Sequence, residues 1–182
     1  MDSPVLLSTM PASDQGVLSG RYTLIPRTLI FLRRGDKLLL IKGAPHKRLW
    51  ANKYNGIGGH IERGEDVLTS ARRELVEETG LVVPGLKLCG VVTIDTGQES
   101  GIGLYVLSGE CLAGEPRPSE EGTSAWVDVS EILNLPMVED LPVLLPRLLS
   151  MSASDPPFSA HYHYSHDGSL SITFYSEELW AN

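Results

Sequence analysis

Residues 59–81 read GHIERGEDVLTSARRELVEETGL. From about Glu65 to Thr79, Val67, Leu68, Ala71 and Leu75 recur at helical spacing, which predicts an amphipathic helix with one core-facing stripe. Gly80 stands where a left-handed residue ends such a helix. Glu74, Glu77 and Glu78 fall at i, i+3 and i+4, so their carboxylates share a separate face. That arrangement costs a lone helix stability. Like charges repel, and in the last turn the helix dipole disfavours each of Glu77 and Glu78 by about 0.3–1 kcal/mol. A divalent cation reverses both penalties. Hard oxygen ligands on one helix suit Mg²⁺ or Mn²⁺, leaving coordination positions for water and phosphate oxygens. The plainer reading of three neighbouring glutamates, taken alone, is a solvated acidic face.

On either side of the helix the chain alternates strand-like runs with turns. Tyr22–Leu32 and Lys37–Lys42 read as a hairpin about Arg34-Gly35-Asp36, and Gly43 to Gly59 reads as a loop. Beyond Pro84-Gly85, Leu86–Asp95 and Ile102–Cys111 read as strands, followed by a short one over Ala125–Val129. Leu141–Met151 reads as a second helix with Pro142 in its first turn. Phe158–Tyr164 and Leu170–Tyr175 flank His166-Asp167-Gly168, another hairpin signal. Residues 1–20, rich in Ser, Pro, Gly and Asp, read as an N-terminal arm. The order is α/β with strands dominating.

Composition bounds the function. The 182 residues suit one domain, and 15 Lys+Arg against 23 Asp+Glu leave a formal charge of -8. An acidic chain without a basic run is poorly suited to gripping a nucleic-acid polymer, so a phosphate ligand calls for a bound cation. Two cysteines, Cys89 and Cys111, make neither a disulfide framework nor a metal pair, and read as packing residues. The N-terminus carries no basic leader and no apolar run is long enough to span a bilayer, so a cytoplasmic protein without membrane contact is expected, as monomer or homodimer.

As a unit, residues 59–81 resemble the Nudix box of the Nudix hydrolases, a Gly, a Glu and an Arg-Glu-apolar-x-Glu-Glu-x-Gly-apolar run at fixed spacing. Gly59, Glu65, Arg73, Glu74, Leu75, Glu77, Glu78, Gly80 and Leu81 fill its defined positions. The resemblance implies an α/β/α sandwich with a mixed β-sheet and a loop–helix–loop catalytic box, formed by residues 21–182. It also implies Mg²⁺, or Mn²⁺, as cofactor and a nucleoside diphosphate linked to another group as substrate. Glu74, Glu77 and Glu78 become the principal metal ligands, helped by the Gly58 carbonyl. Glu74 doubles as the base, and Arg73 orients a box glutamate, with Glu65 the expected partner. Such chemistry needs cations because a diphosphate repels the incoming nucleophile.

A narrower resemblance bears on the substrate. Tyr54-Asn55-Gly56-Ile57-Gly58-Gly59 is similar to the approach to the box in the MutT-type branch that hydrolyses oxidised purine nucleoside triphosphates such as 8-oxo-dGTP. That similarity implies Asn55 and Thr28 as substrate contacts, Met137 at a stacking position, and Glu139 and Asp140 as base-reading acids. Counting back from Trp126 places Glu121 as a further acid near the metal. Tyr54, Met137 and Glu139 depart from the branch's Trp, Trp and Asp, which loosens base selectivity. Asn55 also suits a turn, and Glu139 and Asp140 also suit the start of the second helix. Trp50 either lines the pocket or closes the core, with the core favoured, and His60 reads as a solvent-facing loop residue. His161 and His163 share one strand face. The alternatives are hydrolysis of ADP-ribose or a dinucleoside polyphosphate, a non-catalytic nucleotide sensor, and an isopentenyl-diphosphate isomerase. An intact box argues against the sensor, and the isomerase's acid–base Cys and Glu are not recognisable.

Overall fold

Alternation in the first two strands sets the architecture. In the computed structural model β1 spans Thr23–Arg34 and β2 spans Lys37–Gly43. Leu29 and Phe31 of β1, with Leu38 and Leu40 of β2, pack in one core cluster with Leu141, Leu144, Leu145 and Leu148. Ile30 and Leu32, with Leu39 and Ile41, pack in the other with Ala71 and Leu75. A sheet buried on both faces explains why these strands read as continuous apolar runs. The helices on its two sides are α1, Val67–Thr79, and α2, Leu141–Leu149. The fold is the α/β/α sandwich expected.

The remaining strands are β3 (Tyr54–Asn55), β4 (Lys87–Asp95), β5 (Ser100–Glu110), β6 (Gly122–Asp128), β7 (Phe158–Tyr164) and β8 (Leu170–Tyr175). They form one mixed sheet in the order β3-β2-β1-β5-β4-β7-β8, with β6 on β2. The β1/β5 and β4/β7 pairs are parallel and the other strand pairs antiparallel. The structure describes residues 15–16 and 20–175, so most of the expected arm and the last seven residues of the expected 21–182 domain lie outside the described residues. Among the described residues no helix is long and apolar enough to cross a membrane.

The site is positioned by a split in this sheet. β1 and β2 pair only beside their hairpin, at Arg33 with Leu38 and Arg34 with Lys37. β6 pairs with β2 along its whole length, β3 follows β1 on the other edge of β2 at Ile41 and Lys42, and the loop after β3 takes the edge that β1 leaves open. Ile30 and Ile57 exchange backbone hydrogen bonds of 2.7 and 3.1 Å, and the Thr28 amide donates to the Gly59 carbonyl at 2.9 Å. Gly58 fits because a Cβ there would lie 2.1 Å from the Thr28 carbonyl oxygen.

Three local readings change. The segment expected as pure loop over Gly43–Gly59 contains β3, because Tyr54 and Asn55 pair with Lys42 and Ile41. The first helix begins at Val67 rather than Glu65, because the Asp66 carboxylate accepts from the Leu68 and Thr69 amides and caps it. Residues Val129–Asn134, after β6, form a 3-10 helix that leads toward α2.

Candidate active site

Freed from the helix, Glu65 becomes the anchor of an ion-pair network. Arg73 Nε donates to Glu65 Oε1 at 2.7 Å and Nη2 to Oε2 at 2.9 Å, a two-pronged pair. The same guanidinium donates from Nη1 to Glu74 Oε1 at 2.8 Å and to Glu77 Oε2 at 3.1 Å, and from Nη2 to the His60 carbonyl at 3.0 Å. Arg73, with the Glu62 amide, holds the Glu65 carboxyl down at about 2. One arginine thus ties the loop before α1 to the acids on the helix.

Those acids face a basin. Gly58, Gly59, Glu74, Glu77, Glu78, Glu120 and Glu121 line it, with Arg27 and His60. A Cβ on Gly59 would lie 2.3 Å from Glu74 Oε1, so glycine there leaves room for that carboxylate. Glu78 is 7% exposed, and its Oε2 has no hydrogen-bond partner. Burial first, then the charges of Glu74 and Glu121, push its carboxyl up to about 8 against the pull of the Gly58 amide and Lys47. Lys47 pairs with Glu121. Among the described residues no three His, Cys, Asp or Glu side chains close on one point, and both Glu74 and Glu77 spend an oxygen on Arg73.

A second recess adjoins the first, and Arg27, Gly58, Glu78 and Glu121 border both. Thr28, Asn55 and Asp140 line it, together with Lys47, Trp50, Lys53, Val138, Tyr162 and Tyr164. Asn55 Oδ1 accepts from the Gly56 amide at 2.8 Å, so the turn role and a pocket position coexist in one residue. Asp140 begins α2, yet its side chain makes no capping hydrogen bond. Burial, and to a lesser degree Glu139, raise its carboxyl above the usual aspartate range.

The structure does not bring Met137 or Glu139 into this recess. Met137 is 9% exposed and packs in the core, because residues 136–138 pair with Tyr54: its amide donates to the Pro136 carbonyl, and its carbonyl accepts from the Val138 amide. Val138 lines the recess instead, and Glu139 turns outward to pair with Lys53. The core reading of Trp50 is corrected: it is 37% exposed, sits at φ 59° and lines the recess. Arg27, Lys47, Lys53, Tyr162 and Tyr164 were not singled out from sequence. The alternation of β7 carried a partial signal, since it separates Tyr162 and Tyr164 from His161 and His163. Those histidines stack at 6.4 Å on the other face, where His163 meets Asp95 at 3.3 Å. Cys89 and Cys111 are buried, and His60 is exposed.

Comparison with known proteins agrees with this architecture. The NUDIX domain profile matches residues 23–148. The oxidized purine nucleoside triphosphate hydrolase of Danio rerio is 32% identical over 106 residues, which cover 58% of this chain and 67% of the relative. The protein of the same name in Mus musculus is 28% identical over 138 residues, covering 75% and 85% respectively. The crystal structure of the mutator MutT protein from Bacillus halodurans superposes with a TM-score of 0.69 at 27% identity, covering 83% of this chain and 97% of that one. The domain match spans well over half of the chain and includes both the box and the strands that hold it, so this protein belongs to the Nudix hydrolase family.

Proposed function

We propose that residues 21–182 form a Mg²⁺-dependent nucleoside triphosphate diphosphatase for oxidised purine nucleotides such as 8-oxo-dGTP, releasing nucleoside monophosphate and pyrophosphate. The observation that carries this reading is the junction of two recesses of opposite character. An acidic basin suited to cations and phosphates meets a partly apolar pocket suited to a base, and Arg27 borders both. The relatives named as oxidized purine nucleoside triphosphate hydrolases support the substrate class.

The basin fits a divalent cation. Glu78 is a buried acid with an unmatched oxygen beside like charges, and neither Lys47 nor Arg73 offsets the net negative charge that a cation would. Glu74, Glu77, Glu78, Glu121 and the Gly58 carbonyl would hold Mg²⁺, which supplies charge neutralisation at the phosphates and a more acidic water. Arg73 occupies Glu74 Oε1 and leaves Oε2 free to take the proton of the attacking water. Glu65, through Arg73, fixes the orientation of that carboxylate. Arg27 is positioned to hold a phosphate between the recesses. In the base pocket, Asn55 keeps its Nδ2 protons to donate while Oδ1 serves Gly56. Asp140, with its raised carboxyl, can both donate and accept along a purine edge. Trp50 and Tyr164, 37% and 41% exposed, offer aromatic faces where Met137 does not reach.

Two measurements test this reading. A nucleotide screen with Mg²⁺, scoring pyrophosphate and phosphate separately, should find pyrophosphate released from 8-oxo-dGTP in preference to dATP. Preferential cleavage of ADP-ribose or a dinucleoside polyphosphate would overturn the substrate while leaving the family chemistry intact. The second measurement concerns Glu78. A carboxyl raised from its ordinary value to about 8 favours the folded state at low pH, and that contribution fades as pH rises through about 8. In EDTA the melting temperature should therefore decline as pH rises from the ordinary value of 4.5 to about 8, and Mg²⁺ should raise it more at about pH 9 than at about pH 6. Equal stabilisation at both values would count against Glu78 as a ligand.

A further inference from the structure

The acidic basin and the box residues account for the phosphate chemistry, but one buried group in the base pocket has no role in it. Tyr162 lies on β7 and is 1% exposed, and its hydroxyl has no hydrogen-bond partner. It lines the same pocket as Thr28 and Asp140. Thr28 is 3% exposed, and its Oγ1 is likewise unmatched. A buried hydroxyl is a cost to the folded protein unless a water or a ligand supplies its partner, and two of them line this one pocket. Phenylalanine at 162 would fill the same volume without that cost. The strand alternation leaves little freedom in where the ring goes: Phe158, Ala160 and Tyr162 face inward together, and Phe158 and Ala160 are 4% and 3% exposed.

From this unmatched hydroxyl on a residue that lines the pocket together with Asp140, we infer that Tyr162 is a specificity-determining residue, donating a hydrogen bond to an oxo oxygen of the bound purine. The inference rests on the purine reading of the pocket given above. A phenol donates one proton along a direction set by its ring, so it favours a base carrying an oxygen at that point over one that lacks it. Guanine and 8-oxoguanine carry such oxygens, and adenine carries none. Discrimination of this kind is strong, because the wrong base leaves the buried hydroxyl unpaired.

The test compares wild type with Tyr162→Phe at fixed Mg²⁺, measuring kcat and KM for 8-oxo-dGTP, dGTP and dATP, together with the melting temperature. The variant should lose about 5- to 50-fold in kcat/KM on the better oxo-purine, chiefly through KM, and stay within about twofold on dATP. Its melting temperature should hold or rise, because an unmatched polar group has been removed. Equilibrium binding of 8-oxo-dGMP and dAMP in EDTA gives a readout independent of turnover and should show the same split. An unchanged oxo-purine to adenine ratio would overturn the inference alone. Equal losses on all three nucleotides with a lowered melting temperature would make Tyr162 a packing residue. A wild type that hydrolyses none of the three would overturn the substrate reading, and this inference with it.

Discussion

Glu78→Gln is expected to cut nucleotide hydrolysis by about 10²–10³-fold at saturating Mg²⁺ while raising the melting temperature in EDTA at about pH 9. Opposite signs follow from one cause. Glu78 is 7% exposed with one oxygen unmatched, and burial with Glu74 and Glu121 nearby pushes its carboxyl up to about 8. Above that pH the folded protein carries a buried negative charge among like charges, and an amide of the same shape removes it. Each kcal/mol so relieved should raise the melting temperature by about 2–4 °C in a chain of this size. The same substitution deletes a charge that would face the cation, so transition-state stabilisation falls although the fold is firmer. Initial rates across a Mg²⁺ titration and calorimetry in EDTA give the two readouts. Near-wild-type rates would remove Glu78 from the metal site, and a lower melting temperature would show that its carboxylate is already compensated.

Asp140→Asn is expected to change the ratio of kcat/KM for 8-oxo-dGTP over dATP by about 5- to 100-fold without moving the Mg²⁺ dependence. Burial keeps this carboxyl protonated to higher pH than an ordinary aspartate, so it can donate to one base and accept from another. An amide holds its donor and acceptor in separate places and cannot exchange them. Stability should change little, because the Asp140 side chain makes no capping hydrogen bond to α2. Steady-state kinetics on the two substrates decide the matter. A ratio equal to that of wild type would leave Asp140 without a part in reading the base.

These two acids differ in how far neighbours along the chain place them. Glu78 stands in a motif whose residues lie within one helix and the loop before it, so spacing was enough to place it beside Glu74 and Glu77. Asp140 lies in a stretch where neighbours diverge. Met137 packs inward against the core, Val138 and Asp140 reach the pocket, and Glu139 turns out to Lys53. No periodicity in residues 135–140 announces that pattern, because the backbone pairing of residues 136–138 with Tyr54 imposes it.

The resemblance of residues 59–81 implied the sandwich class, whereas by itself the sequence determined every strand but β3, the two helices and the acidic face of α1. These depend on local periodicity, on caps such as Gly80, and on charges a few residues apart in one helix. The resemblance also implied the Arg73–Glu65 pair, which closes a short loop onto the same helix. The resemblance implied Thr28, Asn55 and Asp140, and only the tertiary structure decided which side chains join them in the second recess. Thr28 and Arg27 come from β1, Trp50 from the loop before β3, Asp140 from the start of α2, and Tyr162 from β7. Their meeting depends on strand order and register, and a shift of one residue in a strand turns every side chain to the opposite face. Alternation groups Tyr162 with Phe158 and Ala160, but which face of the sheet they take is fixed by pairing, with β7 lying between β4 and β8.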